Sequence, residues 1–177
     1  MTATLDMEHT GNAERDAESL LDEVWLSDAF GRPNLPVDPV WIAQRLGIFV
    51  FIADLADGVS GMLVKRAGQD PQIYLQRDHH RNRQRFTCAH ELGHFVAAGG
   101  DDTMEYVERR ALLASQGSDP SEIYANQFAA ALLMPRDVVN ERCDGVQFPN
   151  PVLMSYDFGV SADAMKYRLI NLGHTPA

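Results

Sequence analysis

Cysteine and long apolar runs are both scarce in this chain. Its 177 residues include two cysteines, Cys88 and Cys143, so no framework of disulfide bonds is expected to stabilise the fold. No run approaches the ~18 consecutive apolar residues of a membrane-spanning helix, and the first residues are polar and acidic, unlike a secretory leader. We therefore expect a cytoplasmic protein with no membrane partner.

Basic residues are also few, since the chain has 15 Lys and Arg against 25 Asp and Glu, which gives a formal net charge of −10. Contacts from Lys and Arg to phosphates supply most of the affinity of general nucleic-acid binders, so direct DNA binding is not expected. Apolar residues make up 45% of the chain, which is ample for a hydrophobic core.

The segment His90-Glu91-Leu92-Gly93-His94 carries a pattern with a chemical consequence. Residues four apart lie one above the other on a helix, so His90 and His94 can aim two imidazole nitrogens at one metal ion. Glu91 lies at the flank of that face, where it can take a proton from a water molecule that the metal activates. Apolar residues at helical spacing surround the motif, and a buried histidine needs a polar partner. The pattern predicts a zinc hydrolase with Glu91 as its catalytic base.

A catalytic zinc ion takes three protein ligands and keeps a fourth position open, so one ligand must come from elsewhere in the chain. Glu122 is the candidate, because it lies in the first turn of a second predicted helix that begins at Asp119 and Pro120. An alternative stays open, since Asp119 and Glu122 also have capping-box spacing, which would direct Glu122 to its own backbone. Asn126 lies one turn further on and could orient Glu122.

Three apolar runs before the motif predict a small β-sheet. Residues 48–52 form a continuous apolar run and are expected at its centre, while Val59–Lys65 and residues 72–75 each follow a turn. Short connections between the runs favour antiparallel pairing. The expected fold is α+β and zincin-like, with a three-stranded antiparallel sheet packed on helices just before the metal-binding helix.

The tail and one basic stretch each leave two interpretations open. Residues 153–173 predict two helices that join at Gly159, with Ser161 capping the second, an arrangement like a helix-turn-helix. Such a tail could bind DNA, but the acidic charge favours packing on the rest of the chain or docking a partner protein. The arginines between residues 77 and 85 are expected to be solvated or paired internally rather than to bind an acidic partner.

The residues from Arg85 to His94 resemble the metal-binding signature of the ImmA/IrrE metallopeptidases, and those from Glu122 to Pro135 resemble that family's second block. The resemblance spans residues 36–173. It implies that His90, His94 and Glu122 bind zinc and that Glu91 is the general base, an arrangement similar to the gluzincins. It also implies cleavage of a helix-turn-helix transcriptional repressor at a specific site, in a stress, prophage or toxin–antitoxin circuit.

The leading hypothesis is therefore a zinc-dependent, site-specific endopeptidase whose partner is such a repressor, as its substrate or as the product of the same operon. Mn²⁺ or Fe²⁺ could occupy the same ligands. The competing hypothesis is a metal-containing regulator or toxin–antitoxin component that binds its partner without cutting it. On residue type alone, Tyr106 and Tyr124 are candidates for stabilising an oxyanion.

The expected division of the chain has three parts. Residues 1–12 are rich in Thr, Asp and Glu and are predicted to be disordered. Residues 13–143 are predicted to form the zincin-like metallopeptidase domain, and residues 144–177 a helical tail packed on it.

Overall fold

The computed structural model describes residues 9–25, 31–99, 106–111 and 119–177, and for 106–111 it describes the backbone alone. Within these ranges the chain is α+β, as expected. The helices are α1 (Ala13–Val24), α2 (Pro39–Arg45), α3 (Arg81–Ala97), α4 (Pro120–Leu133), α5 (Arg136–Cys143), α6 (Pro151–Phe158) and α7 (Ala162–Asn171). The strands are β1 (Phe49–Ala53), β2 (Val59–Lys65), β3 (Gln72–Gln76) and β4 (Tyr106–Ala111). None of the helices in the described ranges has the length and apolar character needed to cross a bilayer.

The sheet is mixed, so the prediction of an antiparallel sheet was wrong. The strand order is β1-β3-β2-β4, in which β1 and β3 run parallel and the other two pairs run antiparallel. The prediction assumed that a short connection joins neighbouring strands. The connection at 54–58 instead crosses two strand spacings, about 10 Å, and β3 then returns into the gap between β1 and β2. The fourth strand, β4, lies in a segment that the sequence did not predict to be a strand.

β1 lies at the end of this strand order, although its apolar run predicted a central position. Its partners on β3 explain why it is exposed. Phe51 faces Tyr74 across the pair, with ring centroids 5.3 Å apart, on the opposite face of the sheet from the buried Ile73 and Leu75. Phe49 and Phe51 are 53% and 43% exposed. The apolar run therefore forms a strand at the edge of the sheet whose phenylalanines are open to solvent, and not a central strand that is buried on both faces.

α3 lies at the centre of the fold. It packs against α4 on one side, against β2 and β3 on another, and against α2 near its start, which buries every residue from Thr87 to Val96. The helix starts follow the sequence signals. Asp38 accepts from the backbone N–H of Val40 at 3.0 Å and Asp119 from that of Ser121 at 2.9 Å, each followed by a proline that needs no N–H partner.

α1 docks on α4 through a buried carboxylate. Asp16 is fully buried and accepts hydrogen bonds from the hydroxyl groups of Thr10 at 2.5 Å and Tyr124 at 2.7 Å. The sequence pattern placed Asp16 on the polar side of α1, because a periodicity argument counts every carboxylate as solvent-facing. Nearby, both tryptophans of the chain meet edge to face, with Trp25 and Trp41 ring centroids 5.2 Å apart.

The tail consists of α6 and α7 packed on each other. Gly159 joins them in the left-handed region (φ +62°), and Ser161 caps α7 by accepting from the N–H of Ala164 at 3.1 Å, as predicted. Arg85 of α3 anchors this turn. Its guanidinium is buried and donates to the carbonyls of Gly159 at 2.9 Å and Val37 at 2.6 Å.

The likeness of α6 and α7 to a DNA-binding motif stays a prediction, as do the domain boundaries at residues 13, 143 and 144. Of the segment predicted to be disordered, residues 1–8 lie outside the described ranges. Residues 9–12 are described and lead into α1, where Asn12 caps the helix by accepting from the N–H of Arg15 at 3.1 Å.

Candidate metal centre

The two motif histidines and the distal glutamate meet at one point between α3 and α4. The Nε2 atoms of His90 and His94 are 3.1 Å apart. A carboxylate oxygen of Glu122 lies 3.4 Å from His90 Nε2, and the other oxygen lies 3.2 Å from His94 Nε2. These three residues form the one group with metal-ligand geometry among the described His, Cys, Asp and Glu residues. Glu122 therefore faces the histidines across the helix pair, and the capping-box alternative is not the geometry observed.

The donor set fits a divalent metal ion. Ligand atoms placed tetrahedrally around zinc at ~2.0–2.1 Å lie about 3.3 Å from one another. The observed distances of 3.1, 3.2 and 3.4 Å are close to that spacing. Two imidazole nitrogens and a carboxylate suit zinc well and also accept manganese or iron, so the geometry leaves the identity of the metal open.

Asn126 sets the orientation of His90. Its Oδ1 lies 3.1 Å from Nδ1 of His90, where an amide oxygen can only accept a hydrogen bond. A proton on Nδ1 completes this hydrogen bond and leaves the lone pair of Nε2 directed at Glu122 and His94. The sequence predicted that Asn126 would orient Glu122, its neighbour one turn away, whereas the observed partner is across the helix pair.

Glycine allows α3 and α4 to approach closely enough to build this centre. A Cβ atom on Gly93 would lie 3.0 Å from the Cα of Ala125 and 3.2 Å from the Cβ of Phe128. That spacing is tighter than most real contacts, and at Ala125 it involves backbone that cannot rotate away. The glycine between the two histidines therefore determines how near Glu122 comes to them.

A second glycine brings the sheet close to the side of α3 that carries Glu91. A Cβ on Gly61 of β2 would lie 2.2 Å from Cγ2 of Thr87 and 3.2 Å from Oε1 of Glu91. Glu91 is fully buried where β2 crosses α3, one residue from the first ligand. Neither close approach could be predicted from the motif, since both depend on which elements pack together.

Other candidate residues face elsewhere. The hydroxyl of Tyr124 donates to Asp16 of α1 at 2.7 Å, so its proton is directed at that carboxylate and not at the metal group. Burial together with this carboxylate raises the pKa of the hydroxyl. The side chain of Tyr106 lies outside the described residues. Cys88 belongs to the hydrophobic core, where burial and the nearby Glu91 raise the pKa of its thiol. His80 caps α3 and does not join the metal group.

Three of the four arginines before the motif are paired internally and Arg81 is exposed, in line with the first interpretation of solvation or internal pairing. Arg77 donates to Asp54 at 3.1 Å, and Arg83 donates to the hydroxyl of Ser60 at 3.0 Å. Arg85 has the backbone acceptors described above, and its burial lowers the pKa of the guanidinium from the ordinary value.

Comparison with known proteins places this geometry in context. The profile of a peptidase family described as the IrrE N-terminal-like domain matches residues 43–170, well over half of the chain and including all four predicted site residues. The chain is also similar to the radiation response metalloprotease IrrE of Deinococcus radiodurans, with 41% identity over 59 residues. That match covers 33% of this chain and 18% of the relative, so the aligned stretch is a small part of both proteins.

Proposed function

Because the chain belongs to the ImmA/IrrE metallopeptidase family, we propose that it is a zinc-dependent endopeptidase with a metal centre of His90, His94 and Glu122. The observation that carries the proposal is the convergence of these three side chains at zinc-ligand spacing, with Glu91 buried beside them. Three protein ligands leave a coordination position for substrate, which distinguishes a catalytic site from a structural one.

The metal would polarise the scissile carbonyl and make water acidic enough to lose a proton near neutral pH. The chain's own residues supply the proton transfers. Glu91 would accept the proton of the attacking water on a carboxylate oxygen and deliver it to the amide nitrogen of the leaving strand. Asn126 holds the ring of His90 in position. The carboxylate of Glu91 is fully buried where β2 packs on α3.

The substrate class that we propose is a helix-turn-helix transcriptional repressor, cut at a specific site to relieve repression. Support comes from the family and from the name of the similar Deinococcus protein, which ties that metalloprotease to a radiation response. A stress, prophage or toxin–antitoxin circuit in the cytoplasm would follow. Zinc is the preferred metal, with Mn²⁺ or Fe²⁺ as alternatives.

Metal content tests the centre. Elemental analysis of protein purified without chelator should give about one zinc per chain for the parent. The Glu122→Ala variant should lose the metal or bind it much more weakly. A Glu141→Ala variant, which removes an exposed carboxylate paired with Arg32, should retain it. Full retention of zinc by Glu122→Ala would exclude this glutamate as a ligand.

Cleavage tests the reaction against the competing hypothesis of a regulator that binds without cutting. The zinc-loaded protein should cut a helix-turn-helix repressor encoded beside its gene at one site, observed by mass spectrometry. Glu91→Gln should keep its zinc and its fold but cut roughly a hundredfold to ten-thousandfold more slowly, because it lacks the base. If Glu91→Gln still relieved repression in cells as the parent does, the endopeptidase proposal would be wrong and the regulator would be preferred.

A further inference from the structure

The groove that holds the metal ligands continues beyond them. α3 and α4 lie antiparallel, since His94 faces Glu122, Gly93 abuts Ala125 and His90 bonds to Asn126. The same register places the start of α3 beside the second half of α4. There the two helices open into a cleft of about 870 Å³, whose lining includes Phe86, Asn126, Ala130 and Met134. Asn126 thus belongs to both the metal centre and this cleft, which we call the tail cleft.

The tail forms the third wall of the tail cleft. Val160, Ala164 and Tyr167 line it from the turn and from α7. Two hydrogen bonds hold this wall in place. The side-chain amide of Asn82 donates to the carbonyl of Val160 at 2.8 Å, and Nε of Arg168 donates to the carbonyl of Met134 at 2.9 Å. The wall is therefore fixed to both α3 and α4.

The tail cleft lies within reach of a polypeptide bound at the metal. Along the axis of α4, Asn126 lies about 6 Å from Glu122 and Met134 about 18 Å from it, at ~1.5 Å per residue. An extended chain advances ~3.3 Å per residue. The cleft would therefore accept side chains about two to five residues from the scissile bond, on one side of it.

The lining indicates which side chains would fit. The floor is apolar where Phe86, Ala130 and Met134 meet. Arg83 lies at the exposed rim and is bonded to a neutral hydroxyl, while the charge of Arg168 is balanced by Glu14. The described lining residues include no Asp or Glu, although the chain has a net charge of −10. An apolar side chain with a carboxylate beside it complements this surface.

We propose that the tail cleft binds the substrate polypeptide two to five residues from the cut, and that it selects a large apolar residue next to Asp or Glu. The tail is then a specificity element of the peptidase. This inference rests on the proposed function for its substrate, but it concerns binding, which does not require that Glu91 act as a base.

The experiment measures retention of peptides of known composition. A synthetic library of 14-residue peptides is passed over immobilised, zinc-loaded Glu91→Gln protein, and retained sequences are read by mass spectrometry. Ala164→Trp, added to fill the cleft, should lower retention at least tenfold. Asp163→Trp adds the same side chain to the exposed face of α7 and should leave retention unchanged. The retained peptides should be enriched in an apolar residue adjacent to Asp or Glu.

If Ala164→Trp does not fold, a surface variant provides a second test of the proposal. Arg83→Glu should remove the preference for acidic residues, whereas Arg81→Glu, which changes the exposed arginine that starts α3, should not. Equal retention by Ala164→Trp and Asp163→Trp would overturn the proposal, as would an unchanged acidic preference in Arg83→Glu or a failure of the Glu91→Gln protein to retain any peptide. If peptides are retained in this pattern and the parent still cuts nothing, the proposed peptidase function is wrong, whereas the proposed peptide binding in the tail cleft is supported.

Discussion

At the scale of single residues, the amide of Asn126 determines which nitrogen of His90 can bind a metal. The bond from His90 Nδ1 to Asn126 Oδ1 joins α3 to α4 beside the ligands. Partners of this kind fix the tautomer and the ring orientation of a metal-binding histidine. In the proposed metal centre this side chain would contribute to metal affinity without being a ligand.

We expect Asn126→Ala to weaken zinc binding by about 10–100-fold, because the imidazole would lose its preferred tautomer and orientation. Asn126→Asp keeps the acceptor oxygen and should bind zinc nearly as well as the parent. The measurement is competition with a chromophoric chelator, with Gln127→Ala, which changes the exposed neighbour, as control. Equal affinities for Asn126→Ala and Gln127→Ala would contradict this role.

Asp16 gives a prediction about pH. Burial alone would raise the pKa of this carboxyl, but hydrogen bonds from Thr10 and Tyr124 outweigh it and hold the pKa below its ordinary value of 3.8. A carboxylate with a lowered pKa stabilises the fold above its unfolded-state pKa, and this contribution is lost as the pH falls through the folded-state pKa. Asp16 should therefore stabilise the docking of α1 at neutral pH and not in strong acid.

Asp16→Asn should lower the free energy of unfolding at pH 7 by about 1–3 kcal/mol, since it weakens a buried hydrogen-bond network. The difference from the parent should shrink below pH 4. Urea unfolding at pH 7 and at pH 3 measures both, with Asp22→Asn on the exposed side of α1 as control. A difference that does not change between the two pH values would show that the charge of Asp16 is not what matters.

At the scale of elements, Gly61 controls how closely β2 packs on α3. Gly61→Ala should cost about 1–3 kcal/mol of stability, because its methyl group would overlap Cγ2 of Thr87, only 2.2 Å away. Thr87→Ser removes that methyl and keeps the hydroxyl, so the double variant should regain much of the loss. Urea unfolding of the four proteins of this cycle gives the coupling directly. Strictly additive effects would mean that the contact between β2 and α3 is not limiting.

The same scale shows what could be predicted from sequence. His90 and His94 are a local pair on one helix, so periodicity sufficed to predict that they lie together. Glu122 was a candidate only, because its capping-box spacing left a second interpretation open until the packing of α4 on α3 was known. The sheet order was not predictable in this way, because pairing depends on non-local contacts and the short connection at 54–58 fits two topologies. The burial of Asp16 was missed for a similar reason, since it depends on Tyr124 more than 100 residues later.

At the scale of the whole molecule, Arg85 joins three parts of the chain. Arg85 lies in α3, and its guanidinium donates to the carbonyl of Val37, just before α2. It also donates to the carbonyls of Gly159 and Phe158 in the tail. Sequence showed only a cluster of arginines, because a buried guanidinium that serves backbone carbonyls has no signature of its own. The position of the tail, and with it the third wall of the tail cleft, depends on this side chain.

Arg85→Met should lower stability by about 2–5 kcal/mol, since it leaves buried carbonyls without donors. It should also make residues 144–177 more sensitive to limited proteolysis than the rest of the chain. Arg77→Met, which removes an exposed arginine paired with Asp54, is the matched control and should have little effect on either. Uniform proteolysis along the chain in Arg85→Met would contradict a specific role in holding the tail.

The edge-to-face pair of Trp25 and Trp41 determines what intrinsic fluorescence can report. Both tryptophans of the chain lie at the junction of α1 and α2, and Trp25 also donates to the carbonyl of Asn34 at 2.9 Å. Their emission is a local probe of that corner and not of the proposed metal centre between α3 and α4. A titration with zinc can leave the spectrum unchanged even when every site fills, whereas undocking of α1 in acid would alter it while the rest of the chain is still folded.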